Sequence, residues 1–131
     1  MMQPLLIAAQ RLAEALRAEN EALARLDLAG AARLSLGKRQ ASDAFAAAFD
    51  AARKLGSRPG EHERGTAEDV AARLRDLSAE NRRLLERAID LQSRVIETIA
   101  GAARGPGPGT YRAGGDRRPA PAGPLSLSNR V

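Results

Sequence analysis

His62, the only histidine of the chain, sits between Glu61 and Glu63 in the stretch Gly-Ser-Arg-Pro-Gly-Glu-His-Glu-Arg-Gly at 56–65. A histidine beside carboxylates can bind a metal ion or move a proton, but either task needs several groups held in fixed geometry. Adjacent positions on a glycine-rich loop do not supply it. Cysteine is absent, so thiolate ligands and disulfides are excluded. Gly56 and Gly60 are not followed by Gly-Lys-Ser/Thr, so the loop is no phosphate cradle either. These residues point to no enzyme, and no cofactor or metal is expected.

Binding is better represented than reaction. Asn81 interrupts an apolar helical stripe, where a polar side chain either fixes the register of helix pairing or faces water beyond the end of a partner helix. Tyr111 is the single tyrosine, in a stretch of glycine, proline and arginine with no core to join. It is either an incidental residue or an anchor for a pocket on another protein, because tyrosine brings a large area at little rotamer cost.

The elements that must position these residues are helical. From Thr66 to Ala103, Val70, Leu74, Leu77, Leu84, Ala88, Leu91, Val95, Ile99 and Ala102 recur at steps of three and four once Asn81 is included. Thr66 with Asp69 has the spacing of a capping box, and a helix over 66–103 would be roughly 57 Å long. Before it, apolar residues step at a period of 3.6 from Leu5 to Leu55, and Pro4 suits a first turn. This predicts a helix over about 4–55, with a kink or break near 27–30 where Asp27 and Gly30 fall. The loop 56–65 separates the two segments.

The fold class expected is therefore all-α, an elongated, coiled-coil-like antiparallel hairpin over 1–103. The tail 104–131 is expected to be disordered, since its glycines and prolines exclude regular structure.

Leu85, Ile89 and Ile96 lie beside the main stripe and widen the apolar face of the last helix beyond what one hairpin partner covers. Packing under a bend of the first segment or a homodimer would cover them, as would the amphipathic helix of a client protein. Client contacts are expected on Leu77, Leu84, Leu85, Ile89, Val95 and Ile96. The chain's net charge of +5 is misleading as a sign of nucleic acid, because the tail from Arg104 holds five arginines against Asp116 and accounts for nearly all of it. Without interleaved aromatics, nucleic-acid binding is not expected. Met1 to Ala9 has no basic region typical of a signal peptide, and no apolar run approaches a membrane span. A cytoplasmic protein without membrane insertion is the expectation.

Glu21-Ala22-Leu23 leading to Asp27-Leu28 and Lys38, then Asn81-Arg82-Arg83-Leu84-Leu85, then Thr110-Tyr111-Arg112-Ala113-Gly114-Gly115, together resemble the FlgN family of flagellar export chaperones. The resemblance covers nearly the whole chain, and its most specific parts are the Asn-x-x-Leu-Leu helix and the Thr-Tyr followed closely by glycine. It implies a chaperone that covers the C-terminal amphipathic segments of hook-associated filament junction proteins, prevents their early assembly and delivers them to the flagellar type III export gate. It also implies that Tyr111 docks on the cytoplasmic domain of that gate. Family tails commonly place glycine directly after the tyrosine, where this chain has Arg112. A structural coiled-coil homo-oligomer and a nucleic-acid module using the arginine tail are the competing readings.

Overall fold

The computed structural model describes residues 2–105. The chain is all-α: three helices, α1 (Gln3–Ala24), α2 (Leu28–Lys54) and α3 (Glu61–Arg104), with no strand among the described residues. It divides into two compact units, Met1–Ala88 and Ile89–Val131. The first contains α1, α2 and α3 as far as Ala88. From residue 106 onward the tail, and with it the expectation of disorder, lies outside the described residues.

The first segment, expected as one helix with a kink or break, turns back on itself between α1 and α2. At the end of α1 the Asp27 N–H donates to the Ala22 carbonyl (2.9 Å) and the Leu26 N–H to that of Leu23 (3.0 Å), with Leu26 in the left-handed region at φ 62°. This is the Schellman arrangement, which usually carries glycine where Leu26 stands. Asp27 then caps α2 at once, its Oδ1 accepting from the Gly30 N–H at 2.9 Å. A Cβ at position 30 would run into the Asp27 carboxylate, which accounts for glycine in the first turn of α2.

A left-handed leucine costs roughly 1–2 kcal/mol. Leu26→Gly relieves that strain at an entropic cost of about 0.5–1 kcal/mol. Leu26 is 46 % exposed, so only part of a leucine's burial is lost. The expected result is a gain of about 0.5 kcal/mol, read as a higher urea midpoint at unchanged slope. A lower midpoint would mean that the leucine side chain contributes more by packing than its backbone costs.

The end of α2 follows the same pattern with the usual residue. The Ser57 N–H donates to Ala52 O (2.9 Å), the Gly56 N–H to Arg53 O (3.1 Å), and Gly56 has φ 67°. Helix α3 then starts at Glu61, five residues before the Thr66 box. Glu63 reaches back to accept from the Gly60 N–H at 3.0 Å and from the Met2 N–H at 3.3 Å. These two donors, Gly60 first, hold the half-buried Glu63 carboxyl below its ordinary value. His62 accordingly lies in the first turn of α3, exposed, and not in a loop.

Within the first unit α2 runs antiparallel to α1, and α3 returns parallel to α1 and antiparallel to α2. Leu6 and Ala9 of α1 pack with Val70 of α3, with Phe45, Leu74 and Ala67 against them; further along, Ala22 and Leu23 pack with Ala31, Leu84 and Ala88. The closely paired antiparallel hairpin is thus made by α1 and α2, the two halves of the segment expected as one helix, and α3 packs along it through side chains. Much of the buried surface is alanine, Ala9, Ala13, Ala22, Ala31 and Ala88, so the helices pack through small side chains. The exposed Arg73 of α3 pairs with Glu14 of α1 at 3.0 Å. Arg17 and then Arg73 hold the Glu14 carboxyl below its usual range.

Candidate functional site

A polar layer crosses the core midway. Glu19 of α1 is 2 % exposed, yet its Oε1 accepts from Lys38 Nζ of α2 at 3.0 Å and from Asn81 Nδ2 of α3 at 2.7 Å. Asn81 Nδ2 also donates to Asn20 Oδ1 (2.8 Å), and Asn81 Oδ1 accepts from Lys38 Nζ (3.3 Å). Asn20 Nδ2 donates in turn to the Leu77 carbonyl (3.2 Å) and to Glu80 Oε1 (3.4 Å). Asn81 is therefore buried within the stripe and does not face water. Each helix supplies at least one member, so a shift of any helix by one turn breaks the layer. A buried polar group costs several kcal/mol unless it is bonded, which makes this register far better than its neighbours.

Along α3 the apolar stripe meets different surroundings. Leu84 is 4 % exposed, enclosed by Ala22, Leu23, Ala31 and Ala88. It is a core residue, and a client could reach it only by displacing α1 or α2. Leu77 is half-buried beside the polar layer, and Leu85 is half-buried against the cluster around Leu84. In the second unit Ile89, Val95 and Ile96 are 61 %, 50 % and 39 % exposed. Of the six residues expected to touch a client, these three are open, two are partly covered and Leu84 is closed.

Ile99, 63 % exposed, belongs with the open ones. It stands on the same stripe as Val95, and sequence reasoning counted it as seam without separating covered seam from open seam. At 100° per residue Val95, Ile99, Ile96 and Ile89 fall within a single arc of about 120°, with Asp90, Arg94 and Glu97 on the opposite side. Arg94 and Asp90 pair with each other at 3.0 Å on that polar side. Such an arc offers contact area and no reactive group.

His62 has no metal-binding company, and among the described residues no cluster of three or more histidines and carboxylates is placed to hold an ion. No described helix is long and apolar enough to cross a membrane. Tyr111 lies outside the described residues. No protein-family model, curated protein or solved structure matches this chain.

Proposed function

We propose that this protein is a non-enzymatic export chaperone of the FlgN kind, working in the cytoplasm. In this reading it holds the C-terminal amphipathic segments of hook-associated junction proteins until the export gate receives them. The observation that carries the reading is the open apolar arc of Ile89, Val95, Ile96 and Ile99. A client helix laid along it with anchors at i, i+3, i+4 and i+7 would cover all four. Ordering a client segment costs a few kcal/mol, which keeps affinity moderate and release feasible. Tyr111 in the tail would be the separate contact with the cytoplasmic domain of the gate. Two weak contacts on one chain raise effective concentration without locking the cargo.

The test is a binding assay with purified junction protein and gate domain. Ile89→Asp combined with Ile96→Asp is expected to weaken client binding a hundredfold or more, on the order of 3 kcal/mol, because both carboxylates would be buried without partners. Helicity and thermal midpoint should be unchanged. Tyr111→Ala is expected to spare client binding and weaken capture by the gate domain. No binding of junction protein by the unaltered chain, or light scattering showing the arc closed in a stable homodimer, would overturn the assignment. Binding that needs the arginine tail and falls steeply with salt would instead favour a nucleic-acid module.

A further inference from the structure

Within the first unit an open cleft of about 470 Å³ is lined by Leu12 of α1, Phe45 of α2, and Leu74, Arg75, Ser78 and Arg82 of α3. We propose that this cleft is a second docking site, independent of the Ile89–Ile99 arc, and that its occupant is an amphipathic helix of another protein carrying carboxylates along one edge.

Charge complementarity selects the occupant. Arg75 and Arg82 are seven residues apart on α3, so they project on the same side about 10.5 Å from one another. Neither has a carboxylate within 4.0 Å among the described residues, so both guanidiniums are available at the cleft mouth. Two unpaired guanidiniums at the mouth of an apolar cleft suit two carboxylates seven residues apart on an incoming helix, each able to accept a forked pair of hydrogen bonds. Between those carboxylates, apolar anchors would meet Leu74 and Phe45. The Phe45 ring lies 6.3 Å from that of Phe49, which is 51 % exposed and stands one turn further along α2, next to the cleft lining. An aromatic in the lining with an exposed ring beside it is the kind of residue enriched in protein interfaces.

Other occupants fit less well. The chain's own tail is basic, with five arginines from Arg104 onward against Asp116, and would meet like charge. A free fatty acid is held by a site enclosing most of its surface, and this cleft is open. Anionic membranes are recognised by clusters of four or more basic residues, and here two stand at the mouth.

The experiment uses the full chain and a labelled synthetic 16-residue helical peptide with leucines at i, i+3, i+4 and i+7 and glutamates seven residues apart on one flank. A lysine-for-glutamate counterpart and phosphatidylglycerol vesicles serve as comparisons. Fluorescence anisotropy is expected to show the acidic peptide binding, with affinity lost on the order of tenfold or more in Arg75→Glu combined with Arg82→Glu. The lysine peptide is expected to bind only that reversed variant. Phe49→Ala, at a half-exposed position that leaves the core intact, should weaken the acidic peptide too. Ile89→Asp with Ile96→Asp should leave it unchanged, so a failure here is separable from a failure of the chaperone reading. Absence of acidic-peptide binding overturns the proposal, as does equal binding by the reversed variant. Arginine-dependent association with vesicles, or a homodimer abolished by Arg75→Glu, assigns the cleft to another occupant and overturns it as well.

Discussion

Lys38→Met lowers the stability of the fold by about 3 kcal/mol, the low end of what removing one partner of a buried ion pair costs. Glu19 is the reason. It is almost wholly enclosed, and its Oε1 depends on Lys38 Nζ at 3.0 Å for charge and on Asn81 Nδ2 at 2.7 Å for a hydrogen bond. Without the ammonium, the carboxylate must remain in a poor environment or pull the helices apart to reach water. The partial exposure of Lys38 admits some solvent and places the effect at the lower end of the range. Urea unfolding followed by circular dichroism should show a clear fall in midpoint, large against the 5–15 kcal/mol typical of small domains. Glu19→Gln added to Lys38→Met should recover much of the loss, since a neutral amide no longer needs a cation. A midpoint unchanged in Lys38→Met alone would show that the layer is held by its amides without the ion pair.

Leu84→Ala is the second large effect, with an expected loss of about 2–5 kcal/mol. The buried residues around Leu84 are Ala22, Ala31, Ala88 and Leu23, with Leu28 and Leu85 partly buried against them. The alanines have no side chain to swing into the vacated volume, so much of the cavity persists. Ile96→Ala, on the same helix but 39 % exposed, should change stability by no more than about 0.5 kcal/mol. The contrast tests the division of one apolar stripe into a covered part and an open part. Equal losses at both positions would mean that Ile96 has a partner within the chain.

The stripe itself was legible in the sequence. Val70, Leu74, Leu77, Leu84 and Ala88 keep a 3.6 period that only a helix satisfies, and Gly56 announced the end of the preceding helix by standing where a left-handed residue is needed. The reversal between α1 and α2 was harder to read because its left-handed position holds Leu26, which carries none of glycine's signal. Gly30, the glycine that drew attention, instead makes room for the cap from Asp27 inside the first turn of α2. The period from Leu5 to Leu55 runs on through the turn because α1 and α2 both aim an apolar face at α3. Thr66 and Asp69 matched a capping pattern, but Glu63 and Gly60 had already started the helix upstream.

Of the candidate site, the excess apolar width of the last helix was visible, and its allocation was not. Leu84 and Ile99 have the same spacing and similar side chains, and only tertiary cover separates a core residue from an open one. The polar layer shows a similar limit. Asn81 was conspicuous as an interruption, whereas Glu19 and Lys38 looked like ordinary charged positions until three helices placed them together.

The tight corner at Arg25 to Asp27 has a consequence for the order in which the molecule assembles. Ala22, Leu23 and Ala31 are neighbours both along the chain and in space, so closing this pair of helices costs little loop entropy. Low sequence separation of this kind favours fast, early pairing. Since α1 and α2 emerge before α3 during synthesis, pairing from their shared corner would bring Glu19 and Lys38 face to face first. Asn81 would then join as the last member of a partly assembled polar set, and α3 would take its alignment from a template already in place.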